Sequence, residues 1–312
     1  MNLVFCGTPE FAVPTLDRLV EAGHRISLVV TQPDRPSGRG LEVAASPVKQ
    51  RALGLGPPIT QPDKIKNDTA FREQLETLKP EAIIVVGYGR IIPRWMIDLP
   101  RHGNLNLHAS LLPKYRGAAP VQWAIAHGET VTGVTTMRID EGLDTGDILL
   151  QQEVAIAPDD TALTLTPRLA DVGAGLMVET LRQLEAVTLA ARPQNHAQST
   201  LAPLLKKEDG RIDFAWTAVE IHNRLRGFQP WPGVHTTFRG KSLTLRAVQP
   251  VTGAEVASAE FRVEHERLLL GCGQGTVLEV LELQPEGRKR MAARDFLHGY
   301  PPRPGERLGE PS

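Results

Sequence analysis

The chain has 312 residues, 35 Lys+Arg against 36 Asp+Glu, and a formal net charge of −1. At roughly 150 residues per domain this length suggests two domains, and 41% apolar with 23% charged residues describes a globular chain able to bury a sizeable core. The balance excludes a uniformly basic nucleic-acid binder and an acidic disordered chain. Two cysteines, Cys6 and Cys272, exclude a disulfide framework and favour a reducing compartment. The first residues show no basic leader, and the longest strongly apolar run, 82–86, is far below the roughly 18 residues of a membrane span. A cytoplasmic protein without membrane association is expected.

Residues 3–6 form a short apolar run that ends in Gly7-Thr8-Pro9. A helical pattern follows in Phe11, Leu16, Leu19 and Val20, with Gly23 as its C-cap, and a second apolar run occupies 26–30. Continuous runs joined by a helix predict a βαβ unit whose parallel sheet is buried on both faces. Ser46-Pro47 marks a short helix up to Leu53, and Asp68 caps another up to Leu78. Strands are expected at 82–86 and 104–108, a helix at 120–127, and two strands at 131–139 and 148–156 separated by a polar loop. A long helical pattern fills 161–184, with Pro167 and two glycines predicting an interruption in its first half.

Composition then changes. Residues 188–203 are rich in Ala, Gln and Pro and read as a linker. Beyond it, one helix at 218–226 precedes short alternating runs at 234–238, 243–248, 267–270 and 276–283, with glycine turns between them. Short strands with frequent turns predict a small sandwich or barrel. The Pro- and Gly-rich last ten residues are expected to fray.

The first βα turn, Cys6-Gly7-Thr8-Pro9-Glu10, lacks the G-x-G-x-x-G spacing of a dinucleotide site, and no Walker A string occurs. Ligands of a doubly wound sheet still bind at the carboxyl ends of its strands, which directs attention to Asn106-Leu107-His108. On a strand, Asn106 and His108 share a face, and an amide beside an imidazole suits a developing oxyanion. Taken alone, the pair reads as a polar strand end. The loop Asp140-Glu141-Gly142-Leu143-Asp144-Thr145-Gly146-Asp147 places four carboxylates in eight residues. Its spacing does not fit a calcium loop, and taken alone it reads as a solvated hairpin loop. The nine histidines show no metal-ligand spacing, so no metal is expected. The non-periodic segment 110–120 is long enough to be functional.

The strings N-L-H-A-S-L-L-P-K-Y-R-G-A-A-P-V-Q-W and D-E-G-L-D-T-G-D resemble the formyltransferase family. The resemblance runs along nearly the whole chain, through F-C-G-T-P-E-F-A, T-Q-P-D-R-P-S-G-R-G, V-V-G-Y-G-R-I-I-P, K-K-E-D-G-R-I-D-F and F-Q-P-W-P-G. It is closest to the branch that acts on methionyl-tRNA. It implies a Rossmann-like α/β formyltransferase domain with a mostly parallel sheet over 1–187, the linker 188–203, and a small OB-like β-barrel over 204–312 that contacts tRNA.

The implied reaction moves a formyl group from 10-formyltetrahydrofolate, a co-substrate, to the α-amino group of methionine on initiator tRNA. Asn106 and His108 match the family's oxyanion donors, and Asp144 matches the carboxylate that orients His108 for proton relay. Ser110, Leu111, Leu112 and Pro113 match the folate-contacting segment, and Arg90, Ile91 and Ile92 the turn that holds the pterin. Arg35, Arg39 and Lys49 match a loop that approaches the acceptor arm. Lys206 and Lys207 lie in a stretch, 201–250, with eight basic and four acidic residues. Both cysteines are left without a catalytic role. No obligatory protein partner is expected, and a monomer remains open. Two alternatives remain: a formyltransferase acting on an amino sugar or glycinamide ribonucleotide, and an inactive RNA-binding relative.

Overall fold

A computed structural model describes residues 1–37, 42–303 and 305–309. Two compact units emerge, neither contiguous in sequence. The first comprises Met1–Pro120, Val131–Ala155 and Thr166–Pro203; the second comprises Val121–Thr130, Ile156–Leu165 and Leu204–Ser312.

In chain order the first part contains β1 (Asn2–Gly7), α1 (Val13–Glu21), β2 (Arg25–Val30), the antiparallel pair β3 (Arg35–Ser37) and β4 (Glu42–Ala44), α2 (Pro47–Leu55) and β5 (Ile59–Thr60). There follow α3 (Thr69–Leu78), β6 (Ala82–Val86), α4 (Arg94–Ile97), β7 (Asn104–His108), α5 (Pro120–Ala126), β8 (Val131–Arg138), β9 (Ile148–Ala155) and α6 (Ala162–Glu185). The seven-stranded sheet has the order β5-β2-β1-β6-β7-β8-β9. Strands β5 to β7 pair in parallel, and β8 and β9 add antiparallel. Leu3, Val4, Phe5 and Cys6 are buried, as are all five residues of β6, because helices cover both faces of a parallel sheet. Val4, Leu28, Ile83 and Val85 pack with Phe71, Leu75 and Met96 in one core cluster.

Local signals explain the helix ends. The Ser46 hydroxyl accepts from the Lys49 N–H and the Asp68 carboxylate from the Phe71 N–H, each satisfying a donor that the first helical turn leaves open. The expected interruption of the long helix does not occur: α6 runs unbroken with Pro167 inside it. Proline removes a single i−4 bond near the N-terminal end, while Leu165, Leu169, Met177 and Leu181 are buried at helical spacing. One of the two glycines has a packing reason. A methyl at Gly173 would stand 2.7 Å from the Leu107 side chain, so its absence lets α6 lie directly on β7. The segment 188–203 is tied to the first unit by backbone bridges from Arg192 to Ile148 and from Leu201 to Arg116.

The second unit carries α7 (Ala218–Gly227), β10 (Val234–Phe238), β11 (Lys241–Val251), β12 (Phe261–Glu264), β13 (Arg267–Gly271), β14 (Val277–Pro285), β15 (Met291–Ala292) and α8 (Ala293–Gly299). Thr217 and Glu220 form a reciprocal capping box at the start of α7. The antiparallel sheet has the order β10-β11-β14-β13-β12, with β15 on β14. The rings of Phe238, Phe261 and Phe296 meet at 5.6–6.3 Å in its core. Of the last ten residues, expected to fray, Leu308 and Gly309 are held in place. Leu308 is 3% exposed, and its N–H donates to the Ala259 carbonyl beside β12. The Gly309 N–H donates to Thr237 in β10, so the tail spans the two edge strands and closes the sheet on itself.

Candidate active site

Strand order reverses between β1 and β6, which places a crevice at their carboxyl ends. The turns there are held close by glycine. A methyl on Gly87, at φ 56°, would stand 2.7 Å from the Pro9 ring, and one on Gly89, at φ 74°, would stand 2.7 Å from Gln32 Nε2. Gln32 Nε2 donates to the Tyr88 carbonyl at 2.8 Å. Beyond this turn Arg90 has a buried Nε without a hydrogen-bond partner, Ile91 is 90% exposed and Ile92 is buried. An unpaired guanidinium N–H beside an uncovered isoleucine suits a flat ligand with both polar and apolar faces.

Asn106 and His108 end β7, opposite Met137 and Thr135 of β8. Asn106 is half-buried, and its amide makes no hydrogen bond among the described residues. His108 is buried. Its Nε2 lies 2.8 Å from the Tyr115 carbonyl oxygen, and its Nδ1 lies 3.7 Å from Asp144 Oδ2. A carbonyl only accepts, so Nε2 carries a proton, and Nδ1 faces Asp144. The side chains of His108 and Asp144 are 7% and 19% exposed, so the pair sits in a largely desolvated setting that substrate can still reach.

The segment after β7 is fixed by polar contacts to its neighbours. Thr135 Oγ1 donates to the Ser110 carbonyl at 2.6 Å and accepts from the Leu112 N–H at 3.2 Å. Gln151 Nε2 donates to the Leu112 carbonyl at 2.8 Å, and the Ser110 hydroxyl donates to the Lys114 carbonyl at 2.7 Å. The Leu112–Pro113 peptide is cis. These bonds set the backbone of Ser110, Leu111, Leu112 and Pro113 next to His108.

Asp144 adopts φ 51°, and its Oδ2 accepts from the Gly117 N–H at 2.8 Å. Gly117 itself has φ 119°, and a methyl there would stand 2.7 Å from the Ala202 carbonyl oxygen. Asp140 shapes the same loop, its Oδ1 accepting from the Gly142 N–H at 3.0 Å and the Thr145 hydroxyl at 2.7 Å. Its carboxylates thus cap backbone and neighbouring hydroxyls. Among the described residues no group of three His, Cys, Asp or Glu side chains is arranged to hold a metal.

Composition concealed one set of contributors. Gln194 and Arg116 are each 6% exposed, and Gln194 Oε1 accepts from Arg116 Nε at 3.1 Å and Nη2 at 2.6 Å. Gln194 Nε2 donates to the carbonyls of Asp144 at 2.9 Å and Gly146 at 2.7 Å. Nothing in an Ala/Gln/Pro-rich stretch marks one glutamine as buried.

The residues assigned to tRNA are dispersed. Arg35 is exposed on β3, and Arg39 lies outside the described residues. Lys49 Nζ pairs with Asp34 Oδ2 at 2.5 Å, which neutralises it locally. That hydrogen bond, with a second from Gln61, holds the Asp34 carboxyl below its ordinary range. Lys206 and Lys207 are exposed in the second unit. Burial pushes the Cys6 thiol well above its ordinary value and the Cys272 thiol up to about 12, so neither is a ready nucleophile.

Comparison with known proteins decides the family. The description "Formyl transferase" matches residues 1–181, and "Formyl transferase, C-terminal domain" matches 204–301. The chain belongs to the formyltransferase family. Within it, the methionyl-tRNA formyltransferase of Koribacter versatilis is 64% identical over 309 residues, covering 99% of both chains. The enzyme of the same name from Acidobacterium capsulatum is 63% identical over 99% of this chain and 100% of its own. Among solved structures, the N-formyltransferase of Helicobacter canadensis, in complex with folinic acid and dTDP-3-aminofucose, superposes with a TM-score of 0.66 at 19% identity. That likeness covers 91% of this chain and 98% of the other, and it establishes the shared fold. Among the described residues no helix is long and apolar enough to cross a membrane.

Proposed function

We propose that the chain transfers a formyl group from 10-formyltetrahydrofolate to the α-amino group of methionine carried by initiator tRNA, in the cytoplasm. The observation that carries this reading is identity of 63–64% over 99% of the chain to relatives of that name, with Asn106 and His108 at the carboxyl end of β7 and Asp144 3.7 Å from His108. The folate supplies an activated formyl carbon; amine attack puts negative charge on the formyl oxygen and leaves a proton to be removed from nitrogen, and collapse of that adduct breaks the bond from the formyl carbon to N10, which takes up a proton as tetrahydrofolate leaves.

The residues meet both demands. The uncommitted amide of Asn106 can donate to the developing oxyanion, and such a donor is worth roughly 3–4 kcal/mol of transition-state stabilisation. His108 Nδ1 and Asp144 Oδ2 lie 3.7 Å apart, beyond a direct hydrogen bond. In this reading the attacking amine comes to this pair, which takes its proton. Proton removal through such a pair contributes about 10²–10⁴-fold. The Tyr115 carbonyl, holding Nε2–H, orients the ring throughout. The folate seat in this reading is the backbone of Ser110 to Pro113, with Arg90, Ile91 and Ile92 across the crevice. Arg35, Arg39, Lys206 and Lys207 supply phosphate contacts for tRNA, with Lys49 contributing least. No step calls for a metal or a second protein.

The test is acceptor choice. The chain is given 10-formyltetrahydrofolate with methionyl initiator tRNA, a nucleotide-linked amino sugar or glycinamide ribonucleotide in parallel. Formylation confined to the tRNA supports the reading, and formylation of another amine alone refutes it. Failure to formylate any of them, with tRNA still bound, would identify an inactive RNA-binding relative.

A further inference from the structure

We propose that Gln194 is a positioning residue for formyl transfer, one that sets Asp144 at its distance from His108. The proposal rests on the reading of His108 and Asp144 given above. Gln194 lies far along the chain from both, in a stretch whose composition suggests no function, yet its side chain is buried and fully committed. Its oxygen takes two N–H groups of Arg116, and its nitrogen gives one hydrogen each to the carbonyls of Asp144 and Gly146. That satisfies an amide completely, and no other side chain of this size both accepts and donates in that pattern.

The two groups it joins belong to the two sides of the proton-acceptor pair. Arg116 follows Tyr115, whose carbonyl holds His108 Nε2. The same strap of chain fixes that backbone: the Arg116 N–H donates to the Thr200 carbonyl at 2.9 Å, the Ala202 N–H donates to the Arg116 carbonyl at 2.7 Å, and the Tyr115 N–H donates to Thr200 Oγ1 at 2.9 Å. On the other side, Asp144 stands at φ 51°, in the left-handed region that few non-glycine residues occupy. Gln194 grips the carbonyl of Asp144 itself. A misplacement of about 1 Å in a reacting group can cost about 10²-fold in rate, so a residue that fixes this gap controls turnover without touching substrate.

Two variants separate the arms. Gln194→Met loses both; Gln194→Glu keeps the acceptor for Arg116 and loses the donors to Asp144 and Gly146. In the full chain, both are expected to lower kcat by at least tenfold while KM for the folate and for methionyl-tRNA stays within twofold. The double variant Gln194→Met with Asp144→Asn is expected to be no slower than Asp144→Asn alone. Amide exchange at Gly117, whose N–H is held by Asp144, should accelerate in Gln194→Glu, a readout that serves even if the Met variant folds poorly. A wild-type kcat in both Gln194 variants, beside an impaired Asp144→Asn, overturns the proposal and leaves the catalytic reading standing. So does a tenfold further loss when Gln194→Met is added to Asp144→Asn. A wild-type rate in Asp144→Asn overturns the catalytic reading and the proposal with it.

Discussion

His108 and Asp144 face each other across 3.7 Å, and the far nitrogen of His108 is committed to the Tyr115 carbonyl. The local chain makes this arrangement stiff. β7 holds the imidazole, the left-handed backbone of Tyr115 and Asp144 turns their groups inward, and the Gly117 N–H anchors the carboxylate.

Removing either acceptor should therefore abolish most of the chemical step and little of the fold. His108→Ala and Asp144→Asn are each expected to lower kcat by about 10²–10⁴-fold. Asn106→Ala should lose roughly 3–4 kcal/mol of transition-state stabilisation. Steady-state kinetics alongside thermal melts check this; a wild-type kcat in any of the three refutes its assigned role.

Gly117 is a position where side-chain volume cannot be accommodated. Gly117→Ala combines an unfavourable φ with a methyl pressed on the Ala202 carbonyl, so the backbone has to move and the anchor on Asp144 with it. Loss of both melting temperature and kcat is expected. Gly54→Ala, where a methyl meets nothing within 4 Å on a helical turn, should leave kcat unchanged and raise the melting temperature slightly.

The two basic candidates near β3 and α2 should behave differently. Arg35 is exposed, whereas Lys49 is bound to Asp34. Arg35→Ala is expected to raise KM for tRNA severalfold and to lower the salt dependence of binding by roughly one phosphate's worth. Lys49→Ala should do less. Equal effects on the salt slope would show that the Asp34 pair opens on binding.

Stability should fall with pH in two stages. His127, His222 and His235 are all held below the ordinary value of 6.5, each first by burial and then by neighbouring cations. Because the unfolded chain binds these protons more readily, stability is fully present above about pH 6.5 and declines as pH drops below it. A second decline belongs below the ordinary 4.5 of glutamate, where Glu306, held at about 2 chiefly by its hydrogen bond from Arg239, loses its advantage. Melting temperatures measured from pH 8 to pH 2 check the sequence of events. A Tm that rises between pH 6.5 and 5 would contradict it.

Much of the fold was legible because the strands carry their own signal. The buried runs of β1, β2 and β6, the Ser46 and Asp68 caps and the alternating runs of the second unit each follow from local chemistry. What was illegible depends on contacts distant in sequence. Pro167 looked like a break, but burial along α6 outweighs one lost hydrogen bond. The tail looked loose, but Leu308 and Gly309 find partners on β12's flank and β10. Asn106 and His108 could be placed on one face by strand periodicity alone, whereas the clamp of Gln194 on Arg116 and Asp144 joins segments roughly 50 to 80 residues apart. No spacing rule reaches that far.

The account stands most directly on one balance sheet of formyl groups. The full chain is incubated with 10-formyltetrahydrofolate and methionyl initiator tRNA, and the loss of formyl donor is followed together with the appearance of formylmethionyl-tRNA. The two should match one for one in the wild type, with the rate collapsing in Asp144→Asn. Donor consumed with no formylmethionine formed, or an undiminished rate in the variant, would contradict it.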